Sequence, residues 1–156
     1  MSDPRVPTTE DIKDLKEIEQ RFRAILDGAF EFIGLLKPDG TVIEANQTAL
    51  NYIGARATEV IGQPFWETAW WKGSAKQQER LKAAIAEAAT GKFVRFEAQH
   101  TGQDGTVDII DFSLRPAMDD TGRVTYVIPE GRRQGTLPLR FRLHRVALPQ
   151  RIARPA

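Results

Sequence analysis

The chain has 156 residues, 41% hydrophobic and 28% charged, which suits one packed domain and leaves little room for two. With no cysteine, disulfides, thiolate nucleophiles, thiolate-held zinc and iron–sulfur clusters are excluded, and two histidines leave almost no room for a His-rich metal site. The formal charge of +1 divides unevenly: seven of the 22 basic residues follow Gly131 and no acid follows Glu130, so the first 131 residues carry −6 and the last 25 carry +7.

Residues 1–11 hold Pro4 and Pro7 without periodicity and read as a lead-in. Thr8 and Asp11 form a capping-box pattern, with Asp where Glu is usual. Leu15, Ile18, Phe22, Ile25 and Ala29 then recur at spacings of three and four, a coiled-coil type of stripe that predicts an amphipathic helix over 12–27. An exposed seam of this kind predicts a homodimer through Leu15, Ile18, Phe22 and Ile25, the rival being a helix folded back on its own sheet. Gly28 is expected to end the helix in a left-handed conformation.

Three hairpins are predicted next. The first joins Phe30–Leu36 to Thr41–Asn46 through Pro38-Asp39-Gly40, and the second joins Lys92–His100 to Thr106–Arg115 through Gly102–Gly105. The third continues through Asp119–Gly122 to Arg123–Ile128. Val94, Phe96 and Ala98 share one parity, as do Ile110, Phe112 and Leu114, while Arg95, Glu97, Asp111, Ser113 and Arg115 alternate with them, so the sheet has a dry and a wet face. Between the first and second hairpins lies a helical insert. Gln47–Gly54 is expected as a short helix capped by Asn46. A Ser74/Gln77 capping box precedes the apolar stripe Leu81, Ala84, Ile85, Ala88, which ends at Gly91. The order helix, two strands, helices, three strands gives an α+β fold with helices on one face of a five-stranded antiparallel sheet.

The phrases "FEFIGLLKPDGTVIEANQTAL", "NYIGARATEVIGQPFWE" and "DIIDFSLRPAMDDTGRVTYVIPEGR", in this order and spacing, resemble the PAS sensory domain over about residues 21–132. The resemblance implies a domain over 28–132 that senses a small molecule, light or redox state, or dimerises, and relays its state through flanking helices. It implies a non-enzymatic signalling module, and no P-loop, G-x-S-x-G, H-E-x-x-H, kinase or cyclase motif contradicts that. A ligand-free dimerisation domain is the alternative.

Parity and helical spacing direct Trp66, Trp70, Ile85, Phe96 and Phe112 into the space between insert and sheet, as candidate cofactor-binding residues. The aromatic run Phe65, Trp66, Trp70, Trp71 either stacks on a planar ligand or plugs that space. Haem-binding members of the family hold iron through a histidine on the long insert helix, and Ala75–Thr90 contains none. Cysteinyl-flavin photochemistry is excluded by the missing cysteine, and a noncovalent flavin stays open. Tyr52, Ser113 and Asn46 are polar candidates for a pocket wall, with Asn46 also a helix cap. His100 is expected as a solvated strand end, with ligand binding or a pH switch as the other reading. Asp119-Asp120 reads as a turn, with no metal site expected.

Residues 133–156 form a basic tail of uncertain origin. They read as a frameshifted end, a disordered tail, or an edge strand in which Leu137, Leu139, Phe141 and Leu143 alternate with Pro138, Arg140, Arg142 and His144. The arginines offer a nucleic-acid or anionic-surface binding alternative. No apolar run reaches the length of a membrane span and no signal peptide is evident, which gives the expectation of a cytoplasmic protein.

Overall fold

A computed structural model describes residues 4–136. Helix α1 spans Thr9–Gly28 and opens with the full reciprocal box: Thr8 Oγ1 accepts from the Asp11 amide at 3.1 Å, and Asp11 Oδ2 accepts from the Thr8 amide at 2.8 Å. It ends at Gly28 without the expected left-handed glycine, because Ala29 turns the chain into extended backbone and its N–H is taken by the Leu26 carbonyl. Leu26 is the one buried residue of the helix, whereas Leu15 is 63% and Ile25 75% exposed.

Strands β1 (Phe32–Leu36) and β2 (Val42–Ala45) pair antiparallel across the Pro38-Asp39-Gly40 turn. Gly40 takes φ +94°, a conformation costly for any side chain, and a Cβ there would lie 2.5 Å from Trp66 Cζ3. The insert follows: α2 (Gln47–Ile53), α3 (Ala57–Val60), a 3₁₀ turn at Phe65–Glu67, and α4 (Ala75–Ala88). Helix α2 ends on Gly54 in the left-handed conformation. Ser74 caps α4 by accepting from the Gln77 amide at 3.3 Å, but the Gln77 side chain does not close the expected box. Its Oε1 instead accepts from the Gln99 amide at 3.1 Å, exchanging a local bond for one that ties helix to sheet.

Strands β3 (Val94–Thr101), β4 (Val107–Met118) and β5 (Val124–Thr136) complete an antiparallel sheet of order β2-β1-β5-β4-β3. The expected α+β architecture with its helical insert between β2 and β3 is the one observed. The dry face is as the parity implied: Ile110, Phe112 and Leu114 are buried against Leu81, Ala84, Ile85 and Ala88 of α4, with Leu36 and Val127 beside them. β5 runs eight residues beyond the expected Ile128, because Pro129 and Gly131 keep the buried alternation without being recognisably apolar strand formers. Thr136 still pairs with Asp108 across a bulge between Ile109 and Ile110, so Arg133–Thr136 are strand. The expected alternation over Leu137–His144 lies outside the described residues. Among those residues no helix is long and apolar enough to cross a membrane.

Candidate functional site

Beneath α2 the layers do not close completely. A cavity of about 30 Å³ lies between β1, β2, β5 and the insert, walled by Phe32, Ala45, Ala49, Trp70, His100 and Phe112 among others. Space on that scale holds about two water molecules. Glycines let the strands approach around it: a Cβ at Gly34 would meet the Glu44 carbonyl at 2.8 Å, and one at Gly131 would meet Ile110 Cγ2 at 3.1 Å and Phe32 Cδ2 at 3.2 Å.

Of the five residues directed to this space, Trp70 and Phe112 border the cavity and the other three do not. Trp70 is buried and its Nε1 donates to the Ala49 carbonyl at 3.0 Å, which ties the segment before α4 to α2. Trp66 and Ile85 lie over the Gly40 turn, with Lys82 Nζ 5.4 Å above the Trp66 ring. Phe96 packs on Phe112 (5.3 Å between ring centroids) and Trp71 (6.3 Å), under the Arg80 guanidinium. The side chain that fills the middle of the dry face is Trp71, edge-on to Phe112 at 4.8 Å and to His100 at 4.7 Å.

Four polar side chains at and beside this site, Asn46, His100, Asp108 and Tyr52, are buried in ways that their positions in the sequence did not announce. Asn46 caps α2 as expected, accepting from the Ala49 amide at 3.1 Å, but it is wholly buried and does more. The same oxygen accepts from Ile33 N, while Nδ2 donates to the carbonyls of Leu26 (2.8 Å) and Glu31 (2.9 Å), so one amide joins α1, β1 and α2. His100 is 4% exposed rather than solvated, because it shares the buried parity of Ala98 and lies under Trp71 and Tyr52. Burial holds its pKa down to about 4, against the weaker upward pull of Asp108. Asp108, also buried, accepts from Tyr52 Oη (2.8 Å), Arg133 Nη2 (3.0 Å) and Thr136 Oγ1 (2.5 Å). The single Tyr52 hydroxyl proton is shared between Asp108 and the His100 carbonyl, 2.9 Å from Oη, and burial with the Asp108 charge pushes its phenol well above the usual range.

Ser113, a candidate wall residue, faces the other side of the sheet. There it borders a polar groove of about 180 Å³ with Arg95, Asp111, Arg115, Glu130 and Arg132, in which Arg95 and Asp111 make a two-pronged ion pair at 2.6 and 2.8 Å. Asp119-Asp120 is a turn, with Asp119 Oδ1 accepting from the Thr121 and Arg123 amides. Among the described residues no group of three or more His, Asp and Glu is placed to hold a metal.

The sequence family described as the PAS fold matches residues 26–132. The chain belongs to the PAS family. It is 39% identical over 116 residues to the sensor histidine kinase TmoS of Ectopseudomonas mendocina, a match covering 73% of this chain and 12% of that protein. It is 34% identical over 128 residues to the hybrid signal transduction histidine kinase D of Dictyostelium discoideum, covering 79% of this chain and 8% of the kinase. The chain thus spans about a tenth of the length of these relatives. The crystal structure of the PAS domain of an HTR-like protein from Haloarcula marismortui superposes with a TM-score of 0.63 at 21% identity, over 81% of this chain and 99% of that one. The family, and its place in sensor kinases, make this a sensory and signalling module.

Proposed function

We propose that this PAS module is itself non-catalytic, that a small guest in the cavity beneath α2 is reported through Asn46 to α1, and that two copies pair along the α1 seam. The observation that carries the reading is the position of Asn46. Its amide is bonded to α1, β1 and α2 at once; cavity-wall residue Ala45 precedes it in sequence, and cavity-wall residue Ala49 donates its amide to it. A guest that displaces β2 or α2 by a fraction of an ångström strains a buried set of hydrogen bonds, each worth roughly 1 kcal/mol. Two further ties fix the end of α1 to the domain: Arg23 Nη2 to Glu44 at 2.6 Å, and Asp27 Oδ1 accepting from the Gln47 amide at 2.9 Å. A helix held at its C-terminal end and bearing an uncovered seam of Leu15, Ile18, Phe22 and Ile25 is suited to pass such a strain to a second copy.

An isoalloxazine ring does not fit the cavity as it stands, and a noncovalent flavin would require its aromatic walls to part. The small volume favours one other reading, a filled-core interaction module that keeps the α1 seam and takes no guest. Amide NMR of the full chain under xenon, an apolar probe known to enter dry cavities, separates the two. The expected result is shifts at Ala45, Asn46 and Ala49 together with shifts at Leu26–Gly28. Shifts confined to the cavity wall would refute the relay, and no shift at all would support the filled-core module.

A further inference from the structure

The two outer strands of the sheet end differently at their free edges. β2 is short and the insert covers it: Val42 N donates to the Gln63 carbonyl at 2.9 Å, Gly62 N donates to the Val42 carbonyl at 2.8 Å, and Thr41 bridges to Pro64. β3 is eight residues long, runs in continuous register with β4 without proline or bulge, and has no strand beyond it among the described residues. It lacks the shortness, bulge or proline that usually blunts such an edge. Two bonds fix which of its amides face outward. Gly102 N donates to the Thr106 carbonyl at 2.8 Å, which turns the even-numbered residues to β4, and Gln99 N points away from β4 to reach Gln77 Oε1 at 3.1 Å. Arg95, Glu97 and Thr101 therefore present their N–H and C=O groups to the open side, and all three residues are exposed.

The side chains of this edge are also incompletely matched. Glu97 stands directly opposite Asp111 on one face of the sheet, a like-charge arrangement that costs stability, and among the described residues it has no ion pair. Asp111 is answered by Arg95, which uses Nε and Nη2 for the purpose and leaves Nη1 uncommitted.

We infer that β3 pairs edge to edge with β3 of a second copy, antiparallel about a two-fold axis at Phe96. Backbone and charge select this register together. An axis at Phe96 sets Arg95 opposite Glu97 of the second copy and Glu97 opposite its Arg95. Outward N–H and C=O groups then meet outward ones, and each guanidinium meets a carboxylate on the same face. An axis at Arg95 or at Glu97 opposes like charges instead, and one at Ala98 calls on the Gln99 amide that Gln77 already holds. Arg80 lies over the Phe96 ring from α4, so the pairing brings two such guanidinium groups near the axis on the other face. That repulsion and the short stretch of strand make the contact weak. It is separate from the α1 seam and independent of the cavity. At the dilution of light scattering the seam alone governs, whereas in a crowded setting the edges join seam-paired modules into rows.

The test is amide exchange with water, measured by NMR on the full chain in dilute and concentrated solution. Between about 50 µM and about 1 mM the Arg95 and Glu97 amides should slow about twofold, the slowing that mass action gives once half the edges are paired. Thr101, which this register leaves unpaired, should keep its rate. Rates at Arg95 and Glu97 that ignore concentration would overturn the inference: fast throughout means an edge that stays open, and slow throughout means an edge covered within one chain. Slowing at Thr101 as well would overturn the register. Charge exchange supplies a second arm. Arg95→Glu alone and Glu97→Arg alone should each lose the slowing, because like charges then face each other across the axis. An equimolar mixture of the two variants should regain it, since each strand of one meets opposite charges on the other. Slowing that survives in either variant alone, or that fails to return in the mixture, would overturn the pairing.

Discussion

Acid should unfold this protein in a pH window that belongs to His100. Its pKa in the fold is about 4, against an ordinary 6.5, because burial disfavours the imidazolium more than the nearby Asp108 charge favours it. Between those values the unfolded chain binds a proton that the folded chain does not, so stability rises with pH across the window and is lost as pH falls through it. At about 1.4 kcal/mol per unit, the loss is roughly 2 kcal/mol from pH 6.5 to 5 and on the order of 3 kcal/mol by pH 4. The carboxylates held below their ordinary value by hydrogen bonds or ion pairs, Asp11, Asp39, Asp111 and Asp119, act in the same direction but only below about 3.8, outside the window. Urea midpoints at several pH values for the unmodified chain and His100→Phe isolate the effect. The unmodified midpoint should fall steadily below pH 6.5, and the variant should be flat to about pH 4.5. Parallel curves for the two proteins would refute the reasoning, because the groups common to both would then account for the whole acid sensitivity.

Asn46→Ala removes four hydrogen bonds and strands backbone groups of α1, β1 and α2; chemical denaturation should show a loss of about 3 kcal/mol or more. Leu15→Asp with Ile18→Asp should convert a dimer to a monomer by light scattering while leaving the thermal midpoint of the domain nearly unchanged, since both side chains are exposed on α1. Arg133→Ala takes the cationic partner from the buried Asp108 carboxylate and should cost about 2 kcal/mol by urea titration, less than for a fully buried pair because the guanidinium is half in solvent.

Local chemistry carried much of this fold. The Thr8 box, the turns closed by Gly40, Gly105 and Gly122, and the alternation of Ile110, Phe112 and Leu114 are each written within a few residues, and each is realised. What escaped the sequence reading depends on residues far apart in the chain. His100 and Asp108 share the parity of the dry face, yet their side-chain types argue for the surface. That conflict is resolved by Tyr52, 56 positions from Asp108, and by Arg133, 25 positions from it. Parity and helical spacing directed Phe96, Trp66 and Ile85 to the space between insert and sheet without saying which part of that space stays open. Trp71 fills the centre, and the opening lies to the side of β1, where Phe32, Gly34 and Gly131 are the residues that matter. The Gln77 side chain shows the same limit on a smaller scale, since a sequence box cannot foresee a competing amide on β3.

The buried polar groups of this core are not scattered. Asn46 holds the end of α1, where the chain enters the domain, and Asp108 holds Arg133 and Thr136, where β5 leaves it. Both sites touch the cavity at one remove: Asn46 through the adjacent Ala45 and the Ala49 amide that it caps, and Asp108 through Tyr52, whose hydroxyl also contacts the backbone of cavity-lining His100. Each such group pays a desolvation penalty that an apolar residue would avoid. A fold that needed only a stable core would have little reason to place these groups where its two chain ends leave the domain. Under the proposed relay, their arrangement would supply what a filled core alone does not, directional bonds to register a shift of the cavity wall at both points where the domain joins the rest of the chain.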